Sequence, residues 1–227
     1  MITLDQIQKE ISARYDISNT AIASTSNEYA RRTTLINIAL RKWADEELWK
    51  ELLKSATLTV SNSSVTLPTD IDKLNVFLDK HGYIQIGSYS YRLVTLEEKT
   101  QEANEETRVI CWIDSGVLHF APNLTASTIT LRYKTKNKAT DSSLVDKEEL
   151  EFPSDFAKIP EGDYLVNWVL SDLYLTNDEV SKAQFYRDQA QMDLRDLVSK
   201  HYMQTSNMQI LFNENVSNGY EIIGEYD

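Results

Sequence analysis

The chain has a single cysteine, Cys111, among 227 residues. No disulfide can form within it, and no thiolate cluster can hold a metal, which fits a reducing compartment or indifference to redox state. Its six glycines compose neither GxGxxG, nor a Walker-type phosphate loop, nor GxSxG, so the usual signatures of nucleotide binding and hydrolase chemistry are missing. Histidine is also scarce: His81, His119 and His201 lie far apart and outside any HExxH or Cys/His cluster. No cofactor or metal is expected. Basic residues are outnumbered 23 to 35 by acidic ones, giving a net charge of -12. That balance works against tight binding of a phosphate backbone, because counterion release needs clustered cations. No apolar run approaches the roughly 18 residues of a membrane span, and MITLDQIQKEISARY lacks a basic stretch followed by an apolar core. The chain therefore reads as a soluble protein made in the cytoplasm. On that reading the glycosylation sequons at Asn62, Asn123 and Asn215 are chance matches.

What is present is a 41% hydrophobic content with clear periodicities, enough for one large domain or two small ones. Thr3 and Gln6 have capping-box spacing, and Leu4, Ile7 and Ile11 follow at helical intervals, which predicts a helix over residues 4–15. Ser26 is a second N-cap. From there Tyr29, Ile36, Leu40 and Trp43 recur with the helical period, and Trp49, Leu52 and Leu53 continue on a rotated stripe, predicting more than six turns. The pattern then changes to alternation. SATLTV and SVTLP read as a hairpin about Asn62 and Ser63, followed by strands in LNVFL, YIQIG, YRLV, RVICWID, VLHFA and TITLRYK, with a helical LEEKTQEAN between. In the last strand Ile129, Leu131 and Tyr133 are expected on one face, with Thr130, Arg132 and Lys134 on the other. After a polar link, NKATDSSLVDKEE, Pro160 suits a helix start, with Tyr164, Trp168 and Leu175 on one face. Thr176 and Glu179 then cap a partner helix that runs to about His201.

These elements predict an α+β fold: a helical bundle drawn from both ends of the chain, an inserted antiparallel β domain and an extended C-terminal tail. The expected divisions are 1–54, 55–135, 136–201 and 202–227. Leu40, Trp43, Trp168 and Leu194 are expected to be buried together, since their stripes need partners of matching length. The tail has too little apolar content to fold alone, and Ile210, Leu211, Phe212, Tyr220, Ile222 and Ile223 are its candidate anchors for a partner.

No residue set points to catalysis. Asp70 and Asp72 lack the glycine and distal glutamate of an EF-hand and read as a solvated turn. The pairs Glu97/Glu98 and Glu148/Glu149 read as solvated faces. Trp43 and Trp49, six residues apart on a helix, point about 120° apart, so one packs in the bundle and the other meets the β region or a neighbour. Arg31 and Arg32 oppose the dipole at a helix start, which implies a carboxylate partner.

The ordered combination of ARRTTLINIALRKWADEELWKELLKSATLTV, VTLP, ITLRYK, LEFPSDFAKIPEGDYLVNWVLSDLYL and NDEVSKAQFYRDQAQ resembles the head-to-tail adaptor (connector) proteins of tailed bacteriophages, including the tubular-tail A-type adaptors. The resemblance covers residues 25–200. It implies a structural, non-enzymatic virion protein of the head-tail neck, made in the bacterial host cytoplasm. It further implies a homo-oligomeric ring of twelve copies, docked on the portal protein, facing tail or second-ring proteins, with DNA sliding through a channel that its acidity keeps from binding. A tail-completion or stopper protein is the alternative within that class. A small-ligand-binding or hydrolytic β module is the alternative outside it.

Overall fold

The computed structural model describes residues 1–18, 20, 22–74, 83–86, 89–102, 109–124 and 126–216. The architecture is α+β, and the chain divides into two compact units: Met1–Glu47 with Leu150–Asp227, and Leu48–Glu149.

The first unit is helical. A two-residue strand, β1 (Ile2–Thr3), pairs antiparallel with β12 (Phe156–Ala157) and leads into helix α1 (Leu4–Tyr15). The capping box is formed: the Gln6 amide donates to Thr3 Oγ1 at 3.1 Å, and the Thr3 amide to Gln6 Oε1 at 2.9 Å. Helix α2 (Asn27–Glu46) starts at Ser26, whose hydroxyl accepts the Tyr29 amide at 3.1 Å. It buries Ile36, Leu40 and Trp43 completely. The helix is shorter than its periodicity predicts. Its last turn carries Asp45 and Glu46 with no basic residue, so the negative end of the helix is opposed, not complemented. Glu47 is extended, and a 3₁₀ turn over Lys50–Leu52 follows.

Helix α4 (Asp163–Thr176) is the centre of this unit, packed by α1, by α2 and by α5 (Val180–Val216). It starts beyond Pro160, with Gly162 as N-cap. A Cβ at Gly162 would lie 2.6 Å from Ile2 Cδ1, so a side chain there requires Ile2 to move. Tyr164, Leu165, Val166, Val169, Leu170 and Leu173 are buried on nearly every side of the helix. Helix α5 meets it through Ala183, Ala190 and Leu197, seven residues apart, the two alanines allowing close approach. The expected four-residue cluster is only half realised. Leu40 and Trp43 are buried, whereas Leu194 is half-buried and Trp168 lies between Lys42 Nζ at 4.2 Å and Arg187 Cζ at 4.0 Å, its indole faces taken by cations. Leu175 is exposed at the end of α4. Thr176 and Glu179 make no capping box: Thr176 donates to the Asp172 carbonyl, and Glu179 pairs with Lys182. Where an extended segment from residue 202 was expected, the backbone stays helical to Val216. YMQTSNMQILFNENV holds neither proline nor glycine, and extending an existing helix needs no new nucleus.

The second unit contains two sheets. One has the order β2–β9–β4, from β2 (Leu53–Thr59), β9 (Thr128–Thr135) and β4 (Ile71–Leu74), all antiparallel. The other has the order β3–β8–β7–β6–β5: β3 (Ser64–Thr66), β8 (Val117–Ala121), β7 (Ile110–Asp114), β6 (Tyr89–Val94) and β5 (Tyr83–Ile86). Within this sheet β6 and β7 pair in parallel and the other described pairs are antiparallel; helix α3 (Leu96–Glu102) lies between β6 and β7 in the chain. Val65, Tyr91, Cys111, Phe120, Ile129 and Leu131 share one core. The expected hairpin survives as its turn. Asn62 and Ser63 hold φ of 49° and 55°, the signs of a type I′ turn, and Ser61 and Ser64 form a single bridge. Beyond it the strands part, β2 to β9 and β3 to β8, and Val65 enters the shared core. In β9, Ile129, Leu131 and Tyr133 are buried and Thr130 and Arg132 exposed as expected; Lys134 is instead buried, paired with Asp72 at 3.3 Å. Of the expected strand LNVFL, residues 75–78 lie outside the described residues. A last short hairpin joins β10 (Ala139–Thr140) to β11 (Asp146–Lys147).

Where the chain re-enters the helical unit, the buried Asn37 side chain binds both backbone polar groups of Leu150. Its Oδ1 accepts the Leu150 amide at 3.0 Å, and its Nδ2 donates to the Leu150 carbonyl at 2.9 Å. Asn37→Leu keeps the volume and strands both groups, so we expect a loss of about 2–4 kcal/mol in unfolding free energy, measured by urea denaturation. A loss under about 0.5 kcal/mol means the clamp carries no stability.

Candidate interaction surfaces

Two clusters of polar side chains contain residues singled out by the sequence, and both hold the fold together. Arg32, 2% exposed, donates from Nη1 and Nη2 to the two Asp16 oxygens at 3.0 and 3.2 Å, from Nε to Glu28 at 2.9 Å, and to the Ser12 hydroxyl. Burial disfavours its charge, but the bonds to Asp16 and Glu28 outweigh it and raise the guanidinium pKa. The carboxylate that the dipole conflict implied is thus present for Arg32. Arg31 also meets a carboxylate, pairing with Glu28 at 3.6 Å, and bonds to Thr176.

Asp70 is the hub of the second cluster and not a solvated turn. Its carboxylate accepts from Lys54 Nζ at 2.8 Å, Thr135 Oγ1 at 2.9 Å and Tyr133 Oη at 3.1 Å; Lys54 also pairs with Asp146. Burial alone would raise this carboxyl, but the bonds from Lys54, Thr135 and Tyr133 hold it below the ordinary carboxylate value. A depressed folded pKa gives stability that is present above the unfolded pKa of about 3.9 and lost as pH falls through the lower folded value.

The other residues that the sequence singled out do not come together. Glu98 accepts the Thr95 amide and closes a capping box on α3. Glu148 pairs with Lys136 at 3.5 Å. His119 stacks on Trp112 at 5.3 Å, His201 meets Tyr202 edge-on, and His81 lies outside the described residues. Trp43 and Trp49 are both buried, the second in the β unit and not on α2. Cys111 is buried, and desolvation pushes its thiol up to about 12. Among the described residues no group of His, Cys, Asp and Glu could hold a metal ion, and no helix is long and apolar enough to cross a membrane.

What remains for function is surface. Of the tail anchors, Ile210, Leu211 and Phe212 fall on the helical backbone of α5, while Tyr220, Ile222 and Ile223 lie outside the described residues. Two further features escaped the sequence reading. One is a groove of about 270 Å³ between the end of α2 and α5, lined by Glu46, Gln191, Leu194, Arg195 and Val198. The other is the tip of the β10–β11 hairpin, where Leu144 and Val145 are 68% and 60% exposed. Two adjacent apolar residues inside a polar link were the available signal for the tip; the groove has none, being made by packing.

A protein-family model described as SU10 adaptor protein matches residues 2–210, and no curated protein matches the chain.

Asp70→Ala is expected to cost about 2–3 kcal/mol at pH 7 by removing the acceptor of three hydrogen bonds. The gap to wild type should narrow as pH falls below about 4, because there the unfolded chain takes up a proton that the folded Asp70 still resists. Denaturation curves from pH 7 to 3 measure it, and a gap that stays constant across that range contradicts the cluster's charge.

Proposed function

Because the chain belongs to the SU10 adaptor protein family, a family of structural and not enzymatic proteins of bacteriophage particles, we propose that it forms a ring at the head-tail neck. The ring docks on the portal protein, in twelve copies, and presents its other face to tail or second-ring proteins. DNA passes through it. The net charge of -12 suits a channel that must not retain a polyanion.

The observation that carries this reading is the length of α5. Its last buried residue among those described is Leu197, whereas the helix continues to Val216, about 28 Å further at 1.5 Å per residue. Beyond Leu197 on that helix, Tyr202 and Met203 are mostly exposed to solvent. Burial of apolar side chains against a partner is the matching physical mode, with Ile210, Leu211, Phe212, Tyr220, Ile222 and Ile223 as anchors. The subunit itself, soluble before assembly, stays monomeric or weakly associated when alone.

Truncation after Met203 leaves Ala183, Ala190 and Leu197 in place, so the melting temperature is expected to stay within about 3 °C of the full chain. Incorporation into portal-containing particles, read by co-sedimentation, is expected to be lost. A truncated chain that co-sediments normally removes the C-terminal segment from the mechanism.

A further inference from the structure

The β10–β11 hairpin tip is strained, rigid and apolar at once. Leu144 has φ of 63°, the left-handed region that strains a bulky residue and that asparagine or glycine would occupy with less strain. The strained residue does not enter a core. It and Val145 project to solvent side by side. The turn beneath them is fastened: the Asp141 carboxylate accepts the Ser143 amide at 2.8 Å and the Val145 amide at 2.9 Å, and the backbone closes through Asp141 N to Val145 O and Leu144 N to Asp141 O. Two apolar side chains held on a pre-ordered knob lose little entropy on docking.

The groove between α2 and α5 has the complementary character. Leu194 and Val198 supply its apolar surface, Arg195 and Gln191 stand on one helix and Glu46 on the other. Arg195 matches the acidic tip, which carries Asp141, and Glu46 matches the hydroxyls of Ser142 and Ser143. We propose that the hairpin tip of one copy seats Leu144 and Val145 in the α2–α5 groove of a neighbouring copy. The contact rests on the ring reading and deepens it. Knob and groove are different surfaces of one chain, so the contact is heterologous and propagates from copy to copy until it closes.

Cysteine pairing tests it in the full chain. Val145→Cys replaces an exposed residue at the tip, and Gln191→Cys an exposed residue on the groove wall, while native Cys111 is buried. Oxidation of the concentrated double variant is expected to give covalent trimers and a longer ladder on denaturing gels, whereas each single variant gives nothing beyond dimers. Adding Leu144→Asn relieves the positive φ and removes the anchor. The melting temperature should hold or rise, and the ladder should fall at least tenfold. A double variant that stops at dimers, or a ladder indifferent to Leu144→Asn, overturns the contact. Light scattering separates this failure from failure of the ring reading: closed oligomers without the cross-link remove only the tip-to-groove contact, whereas absence of any oligomer, in particles or alone, removes both.

Discussion

A helical unit interrupted by Leu48–Glu149 depends on bringing the chain back to the right place, and the Asn37 amide does this at a single residue. By occupying both the N–H and the C=O of Leu150, it treats the returning backbone as a strand partner inside the core. Neither group could be left bare there without a cost comparable to a sizeable share of a domain's stability. From Leu150 the chain goes on through the buried Asp155, whose carboxylate accepts the Glu151 and Phe152 amides, to β12 and then α4. The apolar faces of α1 and α2 find their common partner only because that return is fixed.

Periodicity made the helices and most strands legible. Leu4, Ile7 and Ile11 are buried where their spacing put them, and Thr3 and Ser26 cap as their side-chain chemistry requires. The errors share a cause: local pattern says nothing of which partner a side chain meets. Trp49 and Leu52 extend the α2 stripe in sequence but are buried beyond the helix end, where acidic residues oppose the dipole. Lys134 alternates to the polar face on paper yet is buried against Asp72. Asp70 looks like a turn residue, while its three donors come from β2 and β9, far away in sequence. The candidate surfaces were the least legible part, since a groove is defined by side chains from two helices, and no run of sequence contains it.

The charge distribution follows a division of labour. The buried or partly buried cations Arg32, Lys54 and Lys134 each meet carboxylates inside a unit and act as fasteners of the fold. These three cations meet five carboxylates, a net of -2, so most of the chain's charge of -12 lies outside the pairs, where it governs long-range interaction with other charged molecules.

The central position of α4 also has a meaning in time. During synthesis at about 5–20 residues per second, the ribosome needs on the order of ten seconds to proceed from the end of α2 to the end of α4. Through that interval the stripe of Ile36, Leu40 and Trp43 has no completed core to enter, whereas the β unit, whose strands all lie between, is finished first. The nascent chain therefore carries an unsatisfied apolar helix beside a unit able to fold, and the order of events at the ribosome is inside-out: the insertion matures before the bundle that holds it.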